Sequence, residues 1–233
     1  MSLSFLLQLQ ATGSPGAETG VKEVAVWEIL KDASQTGFGL VINILLALML
    51  GYSIFIFVER YLALRKASRL EAGFLAKIKD YILSGKIDSA KDYCSRTDSP
   101  SARMLEKGIS RLGKPIENIT ATIENTGKLE ILRLEQRLSF LATAAGAAPM
   151  IGFLGTVVGM IIVFIDLGNA TSLDLQVIAP GIMTAMVTTV EGLIVGIIAY
   201  VGYNYLVAKV EKVVYQMEND ALEFTDLLNE PGK

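Results

Sequence analysis

Between Leu175 and Ala208 the chain carries a single charge, Glu191. An ionisable side chain inside so long an apolar run is costly unless it faces a cavity or a partner, which makes it a candidate site. Thr184 and Thr188 precede it by seven and three residues, and on a helix all three share one face. Two hydroxyls and a carboxyl in line can carry a proton or another cation along a narrow wet path. The alternative is purely structural, with the threonines bonded back to their own helix and Glu191 in a helix contact. Thr156 is the one hydroxyl beyond Thr143 in a second apolar run.

Other chemistries find little support. The chain has one cysteine, Cys94, and no histidine, so the commonest general base and transition-metal ligand is missing and no disulfide framework can form. "GFLGTVVG" has glycines without a lysine and lies in an apolar run, so it is not a phosphate-binding loop. No Ser, His and Asp set or metal-ligand spacing occurs, and the expectation is a protein that is not an enzyme and needs no cofactor or metal. A net charge of −3 gives no reason to expect nucleic acid as a partner.

The elements that must hold these residues are membrane helices. Hydrophobic residues make up 52% of the 233, and charged residues only 19%. Ala33 to Val58 and Leu138 to Ile165 have no charge, and with the run that holds Glu191 each exceeds the roughly 20 residues that span a bilayer as helix. The expectation is an all-α membrane protein with three transmembrane helices at 37–60, 139–166 and 177–206. Joining them are a cytoplasmic helical domain at 61–138 and a periplasmic turn at 167–176, followed by a cytoplasmic C-terminal helix at 207–233. Residues 1–36 form a periplasmic N-terminus with an amphipathic surface helix around Trp27. The opening "MSLSFLLQLQ" lacks an early basic residue and is read as retained rather than as a cleaved signal.

Charges beside the spans set the orientation. Arg60, Arg65, Lys66 and Arg69 follow the first, Arg133 and Arg137 precede the second, and Lys209 and Lys212 follow the third. All of these belong inside by the positive-inside rule, which leaves the N-terminus outside. Residues 59–139 also hold 16 of the 21 Lys and Arg, against 11 acids.

The first span is Leu, Ile, Phe and Val, with Asn43 and Ser53 its clear polar members, and reads as lipid-facing. The second and third are rich in small residues, including the pairs Gly155/Gly159 and Gly192/Gly196, which let helix backbones approach closely. These two helices should form the interior of an assembly. From Pro115 to Leu141 only Gly127 interrupts the run into the second span, so a continuous helix from Pro115 to Ile165, rising roughly 75 Å, is expected. Gly85 and Gly113 should stop earlier helices, and Ser99 with Pro100 should start one.

Three stretches resemble the MotA/TolQ/ExbB proton-channel family, and within it the ExbB and TolQ branch: "FVERYLALRKA", "LEQRLSFLATAAGAAPMIGFLGTVVGMI" and "APGIMTAMVTTVEGLIVGIIAYVGYN". The resemblance implies a ring-forming homo-oligomer, a pentamer, in the bacterial inner membrane. Its second and third helices would surround single-span ExbD-like or TolR-like partners whose membrane Asp carries the proton. Flow would drive a TonB-like protein, or a Tol-type envelope function; a non-transporting scaffold is the rival. Thr156 and Thr189 match threonines facing the partner's Asp, while Pro149, Pro180, Gly152, Gly155 and Gly159 match helix-shaping positions; Gly181 is a further small residue of the third span. One departure stands out. The family Glu after "APGIA" falls here on Thr184, and the acid appears seven residues later as Glu191, ~10 Å along the helix. That displacement places Glu191 toward an inner exit path. Thr189 points about 140° away from Thr184, so the two do not share the pore axis.

Overall fold

A computed structural model of the protein describes residues 37–68, 73–169 and 175–229. The expected surface helix near Trp27 lies outside the described residues, as does most of the turn expected at 167–176. Among the described residues all regular structure is helical: α1 (Gly37–Ala67), α2 (Phe74–Leu83), α3 (Ile87–Arg96), α4 (Pro100–Ile109), α5 (Ile116–Glu135), α6 (Leu138–Asn169) and α7 (Leu175–Asn229). Helices α1, α6 and α7 are long and apolar enough to cross a membrane.

Local chemistry explains where the short helices begin and end. Ser99 caps α4 by accepting from the Ala102 amide at 3.2 Å, with Pro100 in the first turn, where its missing N–H costs nothing. Helix α2 stops at Gly85, whose φ of 71° is open to glycine at little cost. There the Lys86 and Gly85 amides donate to the Tyr81 and Ile82 carbonyls at 2.8 and 3.0 Å, satisfying groups the helix end leaves bare.

The long helix expected from Pro115 to Ile165 is not continuous. It breaks after Glu135, where Gln136 is extended and Arg137 has φ 68°. No glycine or proline marks this break because tertiary contacts make it. The carbonyl of Arg133, which a continuous helix would give to the amide four residues on, accepts instead from Arg60 Nη1 at 3.2 Å. Arg137 Nη1 is tied to Glu59 Oε2 at 2.6 Å. The end of α1 thus holds the joint between α5 and α6.

The long rod is α7 instead. Its 55 residues rise about 82 Å, so the third apolar run and the segment after residue 206 form one continuous helix. Its distal half is the spine of an extramembrane core. Leu206, Val210, Val213, Met217 and Phe224 pack there with Phe74 and Ile78 of α2, Leu105 and Ile109 of α4, and Ile119 and Ile123 of α5. Each such side chain, fully buried, contributes about 1.5–3 kcal/mol. Nearer the other end, Ile42 and Leu46 of α1 pack with Ala148 of α6 and Val195 of α7.

One acid is sunk in the extramembrane core. Glu130, 3% exposed, accepts from Arg103 at 2.7 Å and Arg133 at 2.6 Å. Arg103 also reaches Asp98 at 2.8 Å, and Lys66 reaches Asp98 at 2.6 Å. Lys66 first, and Arg103 after it, hold the Asp98 carboxyl below the usual carboxylate range. Cys94 is fully buried, and burial, with Glu106 nearby, pushes its thiol up to about 12.

Two tests follow from this packing. Glu130→Ala leaves two arginines without their buried partner; because both remain partly exposed, the expected cost is about 2–3 kcal/mol in thermal unfolding of detergent-solubilised protein. Arg96→Ala, which loses only an exposed pair with Asp92, should cost under ~1 kcal/mol. Cys94 should resist a thiol-specific reagent at pH 8 while the protein is folded and react fully once it is denatured, since only the thiolate attacks.

Candidate functional site

The site is built on the contact between α6 and α7. A methyl group added at Gly192 would meet the Ala148 carbonyl oxygen at 2.5 Å, and one at Gly152 would meet the Thr188 carbonyl oxygen at 2.6 Å. At this crossing the two backbones touch, which only glycine on both sides allows. The other predicted packing residues extend the same seam: Gly155 lies against Thr188, Gly159 against Ala185, Gly181 against Val163, and Gly196 against Pro149. Pro180 lies in the opening turns of α7.

Close approach brings hydroxyls of one helix to carbonyls of the other. Thr156 Oγ1 donates to the Ala185 carbonyl at 3.1 Å and lies in hydrogen-bond contact with Thr189 Oγ1. Thr189 Oγ1 lies 3.1 Å from the Gly152 carbonyl; each hydroxyl has one hydrogen, so one of the pair donates to its carbonyl while the other donates across the Thr156–Thr189 contact. Thr188, almost fully buried, donates to the Ala185 carbonyl at 2.8 Å, with the Gly152 carbonyl 3.3 Å away. Three hydroxyls therefore converge on two carbonyls, one from each helix. A hydroxyl carries one donor and two lone pairs, so this cluster can offer oxygens to a cation or donors to a carboxylate. It has no group that takes up and releases a proton near neutral pH.

The predicted residues divide into two sites. Thr156 and Thr189, 33 positions apart in sequence, meet directly. Glu191 does not join them, because two residues along a helix is about 200° and the carboxylate points to the other side of α7. It faces α1. With the Asn43 amide oriented so that its nitrogen faces an acceptor, Asn43 donates to Glu191 Oε2 at 2.9 Å and to its own helix at the Gly39 carbonyl, 3.2 Å. Of the three residues expected to share one face, Thr184 and Glu191 are half-buried and Thr188 is buried. Thr188 is covered by Gly152, Gly155 and Ile42, and Thr184 lies one turn earlier.

Sequence reasoning passed over Asn43 as a site residue, although a lone amide in an apolar span was the available signal. It also had no means of finding the Gly152 and Ala185 carbonyls, since any residue supplies one. The open faces of α6 and α7 are strongly apolar: Met150, Phe153 and Phe164 on one, Met186, Val190 and Ile197 on the other.

Three long apolar helices, two of them in backbone contact around a hydroxyl cluster, define a multi-span helical membrane protein with a polar seam inside its helix pair. A family model described as the MotA/TolQ/ExbB proton channel family matches residues 96–219, more than half of the chain, and the chain belongs to that family. The Tol-Pal system protein TolQ of Haemophilus influenzae is 41% identical over 100 residues, 43% of this chain and 44% of that protein. A putative biopolymer transport protein, ExbB-like 2, of Helicobacter pylori is 46% identical over 87 residues, 37% of this chain and 57% of that one. The biopolymer transport protein ExbB of Aquifex aeolicus is 33% identical over 114 residues, covering 49% and 74%. The chain thus spans about half the length of the first two. The matched region includes α4 to α6 and most of α7, and so contains Thr156, Thr189 and Glu191.

Replacing Gly192 with Ala must push the helices apart at a backbone contact. The expected cost is about 2 kcal/mol, or a Tm lower by roughly 4–8 °C for a chain of this size. Gly146→Ala, where nothing lies within 4 Å, should leave Tm unchanged or slightly raised.

Proposed function

We propose that this chain is the ring-forming subunit of an ion-driven motor in the bacterial inner membrane, and that it converts proton flow into work on an envelope protein. The observation that carries the reading is the Thr156–Thr189 hydroxyl contact at the seam of α6 and α7. These hydroxyls can hydrogen-bond a carboxylate but cannot themselves titrate, and α6 has no acid between Leu138 and Ile165. Glu191, the one acid in the third run, points away from the pair, so on this reading the carrier acid is supplied by another polypeptide: an ExbD-like or TolR-like single-span protein with a membrane Asp, held inside a homo-oligomer, proposed as a pentamer.

The apolar faces of α6 and α7 would contact that partner and neighbouring copies, and α1 would face lipid. Arg60, Arg65, Lys66, Arg133, Arg137, Lys209 and Lys212 would all lie on the cytoplasmic side, leaving the N-terminus periplasmic. Each proton crossing supplies ~2.3 kcal/mol per 100 mV. The extramembrane core around the distal half of α7 would form the cytoplasmic body through which torque is resisted. Thr184 would line the same path, with Thr188 packed behind it against α6, and Glu191 would stand at its exit side.

A TonB-like partner and outer-membrane transport are one output. A Tol-type output has equal standing, because the relatives include both a Tol-Pal protein and biopolymer transport proteins.

Proton flux into liposomes holding this chain and its acid-bearing partner tests the proposal. Thr156→Val and Thr189→Val should each lower flux about tenfold or more, the scale of a lost hydrogen bond to a charged group, while serine at either position keeps most of it. Wild-type flux in both valine variants would end the hydroxyl role. No flux above background from the wild-type pair would leave a scaffold.

A further inference from the structure

The side of α7 turned away from the threonine cluster holds a second polar contact, and it lies across a different helix boundary. Glu191 meets Asn43 of α1 at 2.9 Å, and the other amide hydrogen of Asn43 is fixed on the Gly39 carbonyl. Both donors of the amide are then used, one on its own helix and one on the carboxylate, so the group is anchored and cannot swing freely. No cationic side chain of the three apolar runs can compete with Asn43 for Glu191. Among residues 37–58, 138–165 and 175–208 no Lys or Arg occurs. Around the pair the α1 boundary is apolar, with Ile42 and Leu46 packed on Ala148 and Val195. An acid so placed would otherwise have no polar group to orient it, and burying it without one is expensive.

We propose that Asn43 is the positioning residue of Glu191, and that α1 is through this contact a working part of the ion path rather than only its lipid-facing wall. The inference rests on the motor reading for the path itself, but the pairing stands on the contact between α1 and α7. It assigns the two polar sites separate duties. Thr156 and Thr189 meet the partner's carrier group at the seam of α6 and α7, and Glu191, set by Asn43, serves ion exchange along the boundary with α1. Motion of α1 relative to α7 would alter the hold on Glu191 without disturbing the threonines.

The test uses two independent readouts on the full chain. In the first, the carboxyl stretching band of Glu191, assigned by its loss in Glu191→Gln, is followed by infrared difference spectroscopy of the protein in lipid nanodiscs. Asn43→Leu should shift that band, and Asn43→Gln should restore it toward the wild-type position. In the second, proton flux is measured in liposomes with the partner present. Asn43→Leu should lower flux about tenfold, Asn43→Gln should recover most of it, and Asn43→Leu added to Glu191→Gln should have no further effect. Assembly mass, measured alongside, should not change. An unshifted band in a folded Asn43→Leu protein would overturn the pairing, even with flux intact. A shifted band with no wild-type flux would defeat the motor reading and, with it, the duty assigned to Asn43. A loss from Asn43→Leu that persists in full on top of Glu191→Gln would show that Asn43 acts through something other than Glu191.

Discussion

The backbone contact between α6 and α7 at Gly152 and Gly192 is the constraint on which the remaining geometry depends. In a lipid environment helices gain little from burying apolar side chains against each other, because the surrounding chains are equally apolar. What brings two helices to touching distance is the absence of side chains at the crossing. Once there, the Gly152 and Ala185 carbonyls come within reach of hydroxyls on Thr156, Thr188 and Thr189, and each hydrogen bond adds a polar tie where water is scarce. A larger residue at the crossing would separate the helices and with them the hydroxyl pair.

Helix α7 links this seam to the rest of the molecule. One unbroken helix carries Thr189 and Glu191 on opposite sides and then continues into the core around Leu206, Val213 and Phe224. Helix α6, by contrast, is separated from α5 at Arg137. The joint is held by Arg60 and Glu59 at the end of α1. The two helices of the pair thus connect to the extramembrane region in different ways, one as a rigid rod and one through a clamped bend. On the proposed motor reading, a displacement in the membrane would pass along α7 directly and through α6 by way of the α1 clamp.

Much of this was legible in residue order. Apolar runs longer than a bilayer locate α1, α6 and α7, because a helix satisfies its backbone groups internally in lipid. Gly85 and Ser99–Pro100 mark helix ends by local chemistry that needs no neighbour. The small residues of the second and third spans, together with Thr156, Thr189 and Glu191, single out the helix pair as the place to look. The break at Arg137 was not legible, since intrinsic preference there is helical throughout and only the contacts of Arg60 and Glu59 decide.

The sequence by itself determined the class of protein, the number of apolar helices, and which residues are polar at membrane depth, because each follows from composition and from period along a single helix. The tertiary structure alone decided which polar residues meet. Thr184, Thr188 and Glu191 share a face of α7 by spacing, yet packing buries Thr188 under α6, turns Glu191 to Asn43, and joins Thr156 to Thr189. Spacing fixes direction around one helix axis, but the neighbour found in that direction depends on how three helices cross, and no single-helix pattern contains that.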